Sequence, residues 1–143
     1  MTQFFDPSVL FSMGSLVPPD GISQSRLYMD ATGVLTFEDP NTSGSGVYTS
    51  ASFKIPLNTA THIAFVKNNT VGSFYLNGML SLQIQGMKSA GYEYLCFGHD
   101  HLTNSSNYRG YQDSIYVSDK ASSIDKIISL IGTTKYIHTY IYL

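Results

Sequence analysis

Apolar and polar residues alternate along much of this chain with a period of two, the pattern of half-buried strands. From Val47 to Ile55, the residues Val47, Thr49, Ala51, Phe53 and Ile55 share one face, and Tyr48, Ser50, Ser52 and Lys54 share the other. Leu80, Leu82 and Ile84 alternate in the same way with Ser81, Gln83 and Gln85. The run His62-Ile63-Ala64-Phe65-Val66 is apolar on both faces, which predicts a central strand covered on each side. Further strands are predicted at Val9–Met13, Arg26–Asp30, Val34–Glu38, Ser73–Asn77, Tyr92–Phe97, Tyr111–Ser118 and Tyr136–Tyr142.

Turn chemistry sits where these strands must reverse. Asn77-Gly78 lies between two apolar runs, and both residues tolerate the positive φ of a tight hairpin. Asn68 to Gly72, Asp30 to Gly33 and Asn41 to Gly46 supply looser reversals. One short helix is predicted near residues 122–131: Ser122-Ser123 caps it, Ile124, Ile127, Ile128 and Ile131 recur at helical spacing, and Gly132 ends it. Many short strands with a single late helix predict an all-β fold, an antiparallel β-sandwich over residues 1–143 as one domain. A closed barrel is the competing architecture.

Composition narrows the function. The chain has 143 residues, of which only 13% are charged, while Tyr (11) and Phe (8) are plentiful. A net charge of −2 removes the electrostatic case for nucleic acid or an anionic membrane. The lone Cys96 excludes a disulfide framework and a multi-cysteine metal site, and its apolar strand predicts an inert, buried thiol. No apolar run reaches the roughly 18 residues needed to span a bilayer, so no membrane insertion is expected. No basic-apolar leader opens the chain either. An uncharged, aromatic and hydroxyl-rich composition suits an extracellular or virion surface.

Four blocks stand in order along the chain: Thr61-His62-Ile63-Ala64-Phe65-Val66-Lys67, Phe74-Tyr75-Leu76-Asn77-Gly78, Leu95-Cys96-Phe97-Gly98, and Tyr108-Arg109-Gly110-Tyr111-Gln112-Asp113-Ser114-Ile115-Tyr116-Val117. The segment from Ala121 to Leu130 comes after them. In order and spacing, residues 61–130 resemble the concanavalin A-like lectin/glucanase superfamily, specifically its laminin-G-like jelly-roll branch. The resemblance implies a jelly-roll sandwich. Thr61 stands where that branch has a tryptophan, and the first sixty residues lie outside the likeness.

Glucanases of this superfamily carry carboxylates alternating along one strand in the pattern Glu-x-Asp-x-x-Glu, which sets a nucleophile and an acid on one face. No segment here has that arrangement, and adjacent Glu38 and Asp39 must point to opposite faces. The expectation is therefore a protein that is not an enzyme. Asp113 shares a face with Tyr111, Ile115 and Val117, and a carboxylate on an apolar face must find donors. It reads as a structural aspartate accepting backbone N–H bonds, as the resemblance also implies. Asn77 and Gly78 read as structural too.

Two groups of residues could contact a ligand. The loop holding His99, Asp100, His101, Asn104, Asn107 and Tyr108 is rich in imidazole, amide and phenol groups. His99 and His101 could share a divalent ion with His62 or Asp113, but the polar loop setting favours a solvated loop over a metal site. Calcium would find its nearest donors in Asp100 and Asn104, without a specific ligand pattern, and no other cofactor is expected. Along the last strand, Tyr136, His138, Tyr140 and Tyr142 form an amphipathic row. Such a row stacks on sugars, packs on a neighbouring subunit, or lies beneath a loop of its own chain. These features predict a non-catalytic glycan-binding or adhesive module, with a glycan or protein surface as partner. The alternative is a structural subunit of a virion or fibre that makes a homo-oligomeric contact without binding sugar.

Overall fold

The computed structural model describes residues 8–14, 24–39, 47–56, 59–87, 94–98, 113–118, 120–131 and 138–142. The described elements are β1 (Ser8–Gly14), β2 (Gln24–Met29), β3 (Val34–Glu38), β4 (Val47–Lys54), β5 (His62–Asn68), β6 (Val71–Leu76), β7 (Met79–Ile84), β8 (Tyr94–Phe97), β9 (Asp113–Ser118), α1 (Ile124–Ile131) and β10 (His138–Tyr142). They form two five-stranded sheets, ordered β4-β3-β2-β1-β8 and β7-β6-β5-β10-β9. Two sheets with separate edges make a sandwich, not a closed barrel.

The core lies between the sheets. Phe11 and Phe37 reach in from the first sheet, and Phe65 and Phe74 from the second, all essentially without exposure. Their rings interlock: Phe65 stacks on Phe74 at 4.6 Å between centroids, and Phe37 lies 5.1 Å from Phe74 and 5.4 Å from Phe65. Leu27, Met29, Leu35, Ile63 and Ile84 complete the layer. In β1, Leu10 is an extra residue opposite β2, so the chain bulges there and both Leu10 and Phe11 join the core.

The turns form at the residues that permit them. Between β6 and β7, Asn77 and Gly78 adopt φ of 49° and 80°, the two positive values a tight hairpin needs. Asn77 does more than turn the chain. Its Oδ1 accepts the His62 N–H at 2.8 Å, and its own N–H donates to the His62 carbonyl at 2.8 Å. The hairpin tip is thereby clamped to the start of β5.

The clean alternation expected for residues 80–85 is interrupted. Phe74 pairs with Leu82 but Tyr75 pairs with Leu80, so Ser81 is an extra residue on β7. The bulge turns Leu82 towards the core while Leu80 stands level with Tyr75 on the outer face. Leu80 is consequently 48% exposed.

One strand departs from the antiparallel expectation. β10 lies between β5 and β9 and runs parallel to both. A parallel neighbour requires a crossover connection, and α1 lies within the one that joins β9 to β10. The Ser123 Oγ accepts the Lys126 N–H at 3.3 Å and so caps the helix, and Asp125 suits the positive end of its dipole. Ile127 is buried against Ala64 and Val66, with Tyr75 and Leu130 packed alongside. This explains why β5 is apolar on both faces: Ile63 and Phe65 serve the core, and Ala64 and Val66 receive the helix. The isoleucine stripe is only partly used, since Ile124 and Ile128 remain exposed.

The apolar face expected for β9 is likewise not covered along its length. Val117 is level with Ile141 and, beyond it, Phe65, yet Val117 is 47% and Ile115 42% exposed. β9 is the outermost strand of its sheet, where the opposing layer ends.

Substitutions at two turn positions probe this packing. A Cβ on Gly72 would collide with the Met87 sulfur and come within 3.0 Å of the Phe65 ring. Gly72→Ala should cost about 1–3 kcal/mol in urea denaturation, and adding Met87→Ala should recover part of the Gly72 loss. Asn77→Gly keeps the turn but removes the clamp and should cost about 1 kcal/mol. Asn77→Ala adds left-handed strain of about 1 kcal/mol more, read from the same denaturation midpoints.

Candidate functional site

Among the described residues, the densest polar and aromatic cluster lies on the outer face of the first sheet. Leu27 and Met29 face the core, so Arg26 and Tyr28 face away from it. Across the β2–β3 hairpin Arg26 pairs with Glu38 and Tyr28 with Thr36. The Arg26 Nε donates to Glu38 Oε2 at 2.6 Å, and the Tyr28 hydroxyl donates to Glu38 Oε1 at 3.1 Å. The guanidinium carbon sits 5.5 Å from the centre of the Tyr28 ring. Burial, then the Glu38 carboxylate beside it, pushes the Tyr28 phenol up, against a smaller pull from Arg26 and Thr36. The row of aligned positions runs on from Glu38 and Arg26 through Ser12 to Cys96 on β8.

The hairpin that carries this cluster is held by Asp30. Its Oδ1 accepts the Thr32 N–H and hydroxyl, each at 2.7 Å, and the Val34 N–H at 3.0 Å. Gly33, at φ 86°, closes the three-residue loop. Slight burial alone would raise the Asp30 carboxyl, but these donors, with Lys54, hold it below the usual carboxylate range.

Glu38 and Asp39 separate as alternation requires. Glu38 joins the outer cluster, whereas Asp39 is wholly buried on the core side and accepts the Ser25 hydroxyl at 3.1 Å. Neighbouring carboxylates are thus divided by the sheet and cannot flank one glycosidic bond. Cys96 is half-buried in β8.

Of the residues singled out by sequence, His99, Asp100, His101, Asn104, Asn107, Tyr108 and Tyr136 lie outside the described residues. His138, Tyr140 and Tyr142 lie on β10, level with His62, Ala64 and Val66 of β5. That strand is internal to its sheet, not at an edge. Asp113 opens β9, level with His138. Among the described residues, no three His, Cys, Asp or Glu side chains converge as a metal site would require, and no helix is long and apolar enough to cross a membrane.

A family model described as the concanavalin A-like lectin/glucanases superfamily, of the laminin G type, matches residues 8–128. This chain belongs to that superfamily. The match takes in the N-terminal strands as well, which the sequence blocks alone had left outside the likeness. A lectin/glucanase sandwich with two five-stranded sheets is therefore the frame on which the cluster stands. The S-layer domain-containing protein from Clostridium thermocellum ATCC 27405 is similar in structure, with 22% identity and a TM-score of 0.47. The alignment covers 76% of this chain and 56% of that one, so this chain spans little more than half of that structure's length. No curated protein sequence matches.

The Arg26–Tyr28–Glu38 group was not singled out from sequence, although its signal was there: opposite charges stand at matching distances on either side of a three-residue hairpin loop. The depressed Asp30 carboxyl carries a stability term that is complete above its unfolded pKa and is lost as pH falls through its lower folded value. Chemical denaturation between about pH 5 and pH 2 should show the wild type losing stability faster than Asp30→Asn.

Proposed function

We propose that this chain is a non-catalytic glycan-binding or adhesive module acting on an extracellular or viral-particle surface. The observation that carries this reading is the Tyr28 ring beside the Arg26 guanidinium, with the Glu38 carboxylate in reach of both. Sugars are recognised by a flat aromatic surface together with a few directed donors and acceptors, and this face offers both. Superfamily membership supports the reading, and so does the division of Glu38 from Asp39 by the sheet. The polar loop of His99 to Tyr108 and the row of Tyr136, His138, Tyr140 and Tyr142 are proposed as further contact regions. Calcium at Asp100 and Asn104 is part of the same proposal only if the loop binds ligand.

On a glycan array the wild-type chain should retain a subset of sugars, and Tyr28→Ala should weaken that retention at least tenfold while leaving the fold intact by circular dichroism. An array silent for the wild type sinks the glycan reading, and turnover of any polysaccharide in a hydrolysis panel sinks the non-catalytic one.

A second reading rests on its own observation. Leu80, Ile124 and Ile128 are exposed on the outer side of the second sheet, where Gly78 of the hairpin tip abuts Ile128 and Ile131. Such a ridge suits a subunit that assembles with copies of itself. Light scattering after size exclusion decides it: a strict monomer at high concentration rules assembly out.

A further inference from the structure

The charge arrangement of the outer cluster narrows the glycan reading, on which this proposal rests, to one class of sugar. Arg26 and Glu38 meet at 2.6 Å, so the two opposite charges on this face cancel at close range. Tyr28 adds a hydroxyl to the other Glu38 oxygen, which leaves that carboxylate with a donor on each oxygen. Both charged side chains are about one-third exposed or less, 33% for Arg26 and 27% for Glu38, so water screens the pair only in part.

An anionic sugar meets two obstacles here. Its carboxylate or sulfate must compete with Glu38 for the guanidinium, and it must approach the Glu38 charge to do so. A neutral sugar meets neither. Its hydroxyls donate to a carboxylate and accept from a guanidinium without displacing the pair, while the ring packs on the exposed part of Tyr28.

We propose that the outer face of the first sheet selects uncharged glycans, with Glu38 as the specificity-determining residue because it neutralises Arg26. Removing the Glu38 charge converts the face to a cationic one. The isosteric Glu38→Gln keeps an acceptor for the Tyr28 hydroxyl but leaves the guanidinium charge uncompensated. Acidic glycans then gain the ion pair that Glu38 holds in the wild type.

The test uses the full chain with a neutral oligosaccharide that it retains and the sulfated form of that oligosaccharide, titrated calorimetrically at low and high salt. The wild type should prefer the neutral form, with an affinity insensitive to salt. Glu38→Gln should raise affinity for the sulfated form roughly tenfold, and added salt should erase that gain. Should Glu38→Gln fold poorly, the double variant Arg26→Gln/Glu38→Gln supplies a charge-free face that should keep the neutral preference. A wild type that prefers sulfated sugars overturns the proposal, as does a folded Glu38→Gln with unchanged preference. Retention of glycan by a folded Tyr28→Ala places the site elsewhere and also overturns it, while leaving the glycan reading standing. A wild type that binds no glycan overturns both.

Discussion

The contact between four phenylalanine rings holds this molecule together. Phe11 and Phe37 come from one sheet, Phe65 and Phe74 from the other, and no hydrogen-bond ladder among the described strands joins the two layers. Their burial, with the aliphatic layer around them, fixes the distance and the relative placement of the sheets. Everything on the outer faces inherits that placement. Because Leu27 and Phe37 must face inward to meet the rings, Arg26 and Glu38 must face outward and meet each other. The polar cluster is a by-product of core packing in its position, though not in its chemistry.

The elements themselves were legible because they depend on local pattern. Alternation found the strands, Asn77-Gly78 found the tightest hairpin, and Ser123 with the isoleucines found the helix. What escaped depends on events that leave little mark in a pattern. Ser81 is a small polar residue among small polar residues, and nothing in it announces a bulge; yet that one residue moves Leu80 from the expected core side to the outside. The direction of β10 is also not written in its own residues. It comes from the crossover through α1, a long-range choice that strand periodicity does not encode. The apolar alternation of β9 suggested burial, but burial also needs an opposing layer, and at the outermost strand that layer ends.

The candidate site shows the same division. The loop from His99 to Tyr108 drew notice because its residue types suit ligands, whereas Arg26, Tyr28 and Glu38 are ordinary one by one. Their meaning is relational: it needs the register of a hairpin to bring position 26 opposite 38 and 28 opposite 36. In a chain with only 8 basic and 10 acidic residues, committing one of each to a single 2.6 Å contact is a large share of its electrostatic vocabulary. That contact gives the face its character: polar and directional, but without net field.

The outermost strands have a further consequence. β4, β7 and β9 each carry an irregular register against their inner neighbour, and β8 has only four residues. A strand that bends or stops early is a poor template, so its free backbone groups do not line up with those of an approaching chain. Side-by-side extension of either sheet into a fibre is therefore discouraged at both ends of both layers. For a chain with so few repelling charges, this geometry takes over the task that charge performs elsewhere. Many copies can be displayed close together without zipping into one another, and contact is left to the faces.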